Sequence, residues 1–302
     1  MAIAVRPFLA RDAGPVADVL FVAATERAAR TRQAAAFELP AAARRFVERL
    51  LEVDPMGAHV VDADGEVVGV GWTHARGRIA TLGPLAVVPR HRGHGVGRRL
   101  LETCIAAVGE RGVQVRLVED GADVGALGLL LRVGFRVVTS LLELERPLAG
   151  GPDTAPLAAG ASLRAAAAGD EAELVARDAR SWGAARPQDI AVLLEHGAGA
   201  VVMRHDRVLA HGLARRGEQA TWLGPAAGED ATLVAGLLGH LAAEAAARDR
   251  LPARALVPAG DRRLIDGLLA KGFRVRGTLQ YLCGGGGTAP PPGYVLCSRW
   301  LA

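Results

Sequence analysis

Between positions 92 and 97 the chain reads Arg-Gly-His-Gly-Val-Gly, and Arg98 and Arg99 follow at once. Glycines at alternate positions let a backbone curl and approach a ligand without Cβ clashes. The run lies between an apolar stretch ending in Val88-Pro89 and a segment whose Leu100, Leu101, Cys104, Ile105 and Val108 share one helical face. A loop that opens a helix presents unpaired N–H groups and the positive end of the helix dipole, which suits a pyrophosphate. Guanidinium groups add charged donors around it. The chemistry expected is anion binding by Arg92, Gly93, His94, Gly95, Val96, Gly97 and Arg98.

Other phosphate loops fail on the letters. A dinucleotide fingerprint needs a third glycine where Arg98 stands, and a Walker loop needs Gly-Lys-Ser/Thr, whereas the single lysine is Lys271. A metal reading of His91 and His94 is disfavoured by the arginines on both sides, so no metal is expected.

The elements that must position this loop follow from periodicity and turn chemistry. Asp54-Pro55 ends a helix, and Asp64-Gly65 turns a hairpin between strands at 59–62 and 67–73. A strand at 80–88 leads into the loop, a helix spans 97–109, and a buried strand spans 113–118. A last helix at 126–133 stops at Gly134, and residues 135–144 return as strand.

This order recurs. Residues 60–84 match 201–225 at an offset of 141, each copy running strand, polar turn, strand and Leu-Gly-Pro. Gly134-Phe135-Arg136-Val137 matches Gly272-Phe273-Arg274-Val275 at an offset of 138, and Val5-Arg6 with Asp12 parallels Leu163-Arg164 with Asp170. A nearly uncharged Gly/Pro/Ala stretch at 149–161 separates the copies, so the expected domains are 1–148 and 162–302 with a linker between. After Leu223-Gly224-Pro225 the second copy has no arginine–glycine loop; Asp230 is placed instead to cap a helix opening near Thr232. That copy is expected to lack the anion site.

The ordered set Leu85-Ala86-Val87-Val88-Pro89, Arg92-x-x-Gly95-x-Gly97 and Asp123-x-x-Ala126-x-x-Leu129-Leu130-x-x-x-Gly134-Phe135 resembles the GNAT superfamily of acetyltransferases over about residues 5–145. The whole chain is similar to tandem members with a degenerate second copy. The resemblance implies an α/β (α+β) fold of two tandem domains. Each has a mixed, mostly antiparallel sheet with a splayed parallel strand pair and flanking helices. It also implies acetyl-coenzyme A as cosubstrate, its arm held by the backbone of Leu85, Ala86 and Val87, with Asp123 in the cofactor set. The implied reaction is acetyl transfer to a primary amine of a small molecule; the alternative is a non-catalytic acyl-coenzyme A-binding or regulatory protein.

That alternative is motivated by two positions. Leu130 stands where the family commonly has a tyrosine acid, and Thr81 where some members carry a strand-four base. An amine must be neutral to attack and a departing thiolate benefits from a proton, so substitutes are sought in His74, Glu119, Asp120 and Glu38. The plainer readings are a surface-turn histidine for His74 and capping or solvated acids for the others. Trp182, Trp222 and Trp300 read as core.

Composition narrows the partners. The formal charge of +4 divides evenly, since 19 bases and 17 acids in residues 1–150 leave 17 and 15 for the rest. Aromatics are 4%, so a nucleic-acid partner is not expected. With no run of eighteen apolar residues and both charges within the first dozen positions, neither a membrane span nor a secretory signal is expected. Cys104, Cys283 and Cys297 are too few and scattered for a disulfide framework. The expectation is a cytoplasmic monomer or homodimer.

Overall fold

A computed structural model describes residues 3–109, 113–148, 160–296 and 298. Most of the expected linker, and Trp300, lie outside them. Packing divides the chain into two compact units. Unit 1 takes the residues up to Arg136 together with Leu282–Gly287, and unit 2 takes Val137–Tyr281 and the chain from Thr288 onward.

Unit 1 opens with β1 (Ile3–Pro7), then α1 (Ala13–Thr31) and α2 (Pro40–Val53), the second entered through a proline at its first position. The meander β2 (Ala58–Ala63), β3 (Glu66–Arg76) and β4 (Ile79–Val87) follows. Its first turn has φ of +51° at Asp64 and +89° at Gly65, the left-handed pair that suits the twist of a tight hairpin. α3 (Val96–Ala107), β5 (Gln114–Asp120) and α4 (Val124–Arg132) complete the unit. The strands lie in chain order, antiparallel from β1 to β4, with β5 parallel to β4. α3 buries Val96, Leu100, Leu101 and Cys104. A Cβ at Gly71 would stand 2.6 Å from Cys104 Sγ, so glycine is what lets β3 and α3 meet there. Burial pushes the Cys104 thiol up to about 12, which makes it a core group and no nucleophile.

Unit 2 begins with β6 (Arg136–Arg146), then β7 (Ser162–Ala165), α5 (Glu171–Trp182), α6 (Pro187–His196), β8 (Ala198–Arg204), β9 (Arg207–Arg216), β10 (Thr221–Gly228), α7 (Ala231–Asp249), β11 (Ala253–Pro258), α8 (Arg262–Ala270) and β12 (Arg274–Gly284). Its strands run β6-β11-β10-β9-β8-β7. Only β10 and β11 in that run are parallel. α7 packs Val234, Leu237, Leu238 and Leu241 into a core shared with Val257, Leu264 and Phe273.

The units do not divide where the sequence repeat ends. β6 follows the last helix of the first repeat, yet it pairs antiparallel with β11 from Arg146↔Ala253 to Leu141↔Pro258 and buries Leu144 in the unit 2 core. Compactness therefore groups residues 137–148 with the second repeat, and 282–287 with the first.

Candidate functional site

β4 and β5 pair only over Ile79↔Gln114, Ala80↔Val115 and Thr81↔Arg116. Beyond Thr81 the two strands part. On its other edge β4 continues against β3, with a register shift between Leu82 and Leu85 that flanks a cis Gly83-Pro84 bond. A proline lacks the donor a ladder needs, so the irregularity falls where the sequence places it. Leu85 and Ala86 are half-buried although their neighbours are buried. The result is a cleft whose walls carry backbone groups outside the β4/β5 ladder.

The glycine loop lies at the end of β4. Gly93 and Gly95 have φ of +81° and +77°, a region that glycine enters without a Cβ penalty. Gly95 occupies the N-cap of α3, and among the described residues no side chain caps that end. A Cβ built on Gly93 or Gly95 meets nothing within 4 Å, so open space faces the first turn of α3. His94 is exposed, Val96 is buried in the core, and a Cβ on Gly97 would lie 3.5 Å from Leu129.

α1 ties the loop down. The Arg92 guanidinium donates to the Val87 carbonyl at 2.8 Å and pairs with Glu26. Burial pushes the Glu26 carboxyl up, but Arg92 and Arg30 outweigh it and hold it below its ordinary value. Arg30 makes a bidentate bond to Asp123 at 3.1 and 2.8 Å. Asp123 also accepts the Ala126 N–H and so caps α4. Its carboxyl is likewise pushed up by burial and pulled further down by Arg30 and the amide. Arg98 points to Glu102 at 2.7 Å on the exposed face of α3.

The candidates for proton handling separate clearly. His74 is 1% exposed, because β3 runs on to Arg76; the surface-turn reading is corrected. Its Nδ1 stands 2.5 Å from Asp54 Oδ2 and its Nε2 stands 3.2 Å from the Gly83 carbonyl. Both partners accept, so the ring satisfies both only with a proton on each nitrogen. Arg76 grips the same Asp54 carboxylate with two bonds of 2.8 Å. Burial raises the Asp54 carboxyl, and His74 and Arg76 together bring it below the usual range. Glu119 accepts the Asp120 N–H, and Arg27 lies 3.9 Å from Glu119 and 3.7 Å from Asp120. Glu38 is exposed beyond α1. Leu130 and Thr81 are buried, so neither position supplies a titratable group near neutral pH.

Sequence reasoning missed Asp54, Arg76, Glu26 and Arg30. One signal was present: His74 and Arg76, two apart on a strand, share a face.

Unit 2 repeats the framework with different contents. β10 and β11 pair only from Thr221↔Ala253 to Leu223↔Ala255. α7 is capped by Asp230, which accepts the Thr232 N–H at 2.6 Å, so a carboxylate sits where α3 presents bare amides. Trp222 is half-buried, and Trp182 is buried beneath Arg186. His211 on β9 is fully buried, and among the described residues neither ring nitrogen has a hydrogen-bond partner. Burial lowers its pKa to about 4 from 6.5; Asp178 pulls it back up and Arg177 and Arg186 oppose that. The folded state thus binds fewer protons than the unfolded chain between these values. Stability is full above pH 6.5 and falls as pH drops toward about 4, by about 3 kcal/mol in all. Urea titrations of the parent and His211→Leu across that window would show this slope only in the parent.

Among the described residues, no group of three or more His, Cys, Asp or Glu side chains is placed to hold a metal ion, and no helix is long and apolar enough to cross a membrane. Residues 23–135 match the model of the acetyltransferase (GNAT) family. The mycothiol acetyltransferase of Actinosynnema mirum is 40% identical over 93 residues, which are 31% of each chain. That of Streptosporangium roseum is 36% identical over 102 residues, 33% of this chain and 29% of the relative. The chain thus spans under a third of the curated relatives it matches. Solved structures share the fold over nearly the whole chain. A candidate acetyltransferase from Pyrococcus horikoshii gives a TM-score of 0.76 at 14% identity, covering 99% of this chain and 96% of that one. A GCN5-related N-acetyltransferase from Sphaerobacter thermophilus gives 0.68 at 18%, covering 96% and 98%. A tandem GNAT protein from the clavulanic acid biosynthesis pathway gives 0.66 at 16%, covering 95% and 100%. With the parted β4/β5 pair and the uncapped glycine loop at its end, residues 23–135 are similar to the GNAT acetyltransferases, and the chain as a whole shares the fold of the solved tandem structure.

Proposed function

We propose that unit 1 is an N-acetyltransferase that uses acetyl-coenzyme A to acetylate a primary amine of a small molecule. The observation that carries this reading is the joining of two features. The β4/β5 cleft exposes strand backbone beyond Thr81, and the bare N-terminus of α3 lies at the end of the same strand. An extended arm with amide groups fits the first as an added strand, and a pyrophosphate fits the second. The residues present therefore suit acetyl-coenzyme A: backbone of Leu85, Ala86 and Val87 for the arm, and amides of residues 93–98 for the anion. When bound, it supplies an activated thioester.

The chain's own groups then have defined tasks. A β4 N–H beyond the register shift is placed to stabilise an oxyanion at the thioester carbon. Asp54 and Arg76 orient His74, whose Nε2–H holds the Gly83 carbonyl and so fixes the backbone at that shift. His74 is in this reading a positioning residue. Glu119 and Asp120, engaged by Arg27, hold the end of β5 in place.

The second reading, coenzyme binding without catalysis, is favoured by Leu130 and Thr81. The two separate in one experiment: calorimetry with acetyl-coenzyme A, then coenzyme A release across an amine panel that includes mycothiol-related amines, prompted by the curated relatives' names. The expected result is saturable binding and, with at least one amine, release roughly tenfold or more above the amine-free rate. Binding with no stimulation by any amine would leave the non-catalytic reading standing alone.

A further inference from the structure

The second repeat has a parted strand pair of its own, and the chain fills it. Residues 294–296 lie between β10 and β11, fully buried. Val295 donates to the Ala226 carbonyl at 2.9 Å and accepts the Ala226 N–H at 3.1 Å, while the next residue, Leu296, donates to the Leu256 carbonyl at 3.1 Å. Successive residues bonded to opposite neighbours define a strand inserted between two others. By the offset of 141, Ala226 is the counterpart of Leu85; by that of 138, Leu256 is the counterpart of Val118.

Two latches hold the segment. Gly293 donates its N–H to Asp261 Oδ2 at 2.5 Å, while Asp261 Oδ1 caps α8 through the Leu264 N–H. Asp261 is the counterpart of Asp123, whose carboxylate in unit 1 takes Arg30 instead. On the other side the Tyr294 hydroxyl accepts from Arg186 at 2.7 Å and donates to Asp178 at 3.1 Å. Both groups are buried, so the tyrosine ring and its hydroxyl are satisfied only when the segment is seated.

We propose that the β10/β11 cleft is a peptide-binding site whose resident ligand is the chain's own 293–296 segment. This strand closes unit 2 to acyl-coenzyme A. The closure half of the statement rests on reading the β4/β5 cleft as the coenzyme site; the strand half does not. Together with Asp230 at the helix end, it accounts for both parts of the lost site: the anion seat holds a carboxylate and the arm's channel holds a strand.

Amide hydrogen exchange on the full chain tests the strand. Val295 and Leu296 should exchange roughly a hundredfold or more slower than free peptide, close to their partners Ala226 and Leu256. Exchange at free-peptide rates would overturn the proposal. Calorimetry with acetyl-coenzyme A on the Gly95→Trp chain tests the closure. No saturable site should remain in that variant, and a residual stoichiometric site would show that unit 2 is open. If the parent itself failed to bind, the unit 1 reading would fall, while protected amides at 295 and 296 would still uphold the inserted strand.

Discussion

Replacement of Gly95 by tryptophan is expected to weaken acetyl-coenzyme A binding roughly a hundredfold or more, equivalent to about 2.7 kcal/mol or above. Two effects act together. A non-glycine residue at a φ of +77° costs on the order of 1–2 kcal/mol, either as strain or as a shift of the loop. The indole then enters the open space over the first turn of α3, where a pyrophosphate must approach the bare amides. Because a Cβ at this position meets no protein atom within 4 Å, the variant should keep its fold. Gly95→Ala separates the terms, since it adds the backbone cost without filling the space, and its loss should stay within about thirtyfold. Calorimetry and thermal melts of the three proteins check both points. An affinity unchanged by tryptophan would place the coenzyme elsewhere.

The largest stability effect is expected from Arg186→Met, about 3–5 kcal/mol in the unfolding of unit 2. Arg186 is 1% exposed and Asp178 is not exposed at all; they share bonds of 2.6 and 3.0 Å. Burial pushes the Arg186 pKa down, but Tyr294 and Asp178 more than offset it and hold the group charged. The guanidinium also stacks 4.6 Å over the Trp182 ring. Removing it strands a carboxylate in the interior with the Tyr294 hydroxyl as its remaining donor among the described residues, which is the expensive case for a buried pair. Asp178→Leu combined with Arg186→Met removes both charges and should recover most of the loss. Urea unfolding followed by tryptophan fluorescence measures all three. A single-variant loss under about 1 kcal/mol would mean that the pair contributes no more than a surface contact.

The legible parts of this protein are those written in local pattern. The Asp64-Gly65 turn, the helix opening at Val96 and the stop at Gly134 depend on backbone preferences of the residues at those positions. Asp230 as a cap is equally local, because its partner is two residues away. His74 shows the limit. Its letter suggested a turn, yet its environment is set by Asp54, twenty residues earlier at the end of α2, and by the carbonyl of Gly83 on the next strand. Arg92 was expected among the anion's donors, and the fold pairs it with Glu26 on α1, a residue sixty-six positions away.

The glycine loop, the repeat and the absence of that loop from the second copy were determined by sequence alone. Each is a matter of which residue type can occupy a backbone position, and residue type is what a sequence records. Tertiary structure decided the rest. It sent β6 to pair with β11, it bound α1 to the loop through Glu26 and Arg30, and it laid residues 294–296 between β10 and β11. A strand's sequence states which face is apolar but not which edge it will join. Ladder bonds are made by backbone groups that every residue shares, so the choice of partner emerges only when the whole sheet competes for its edges.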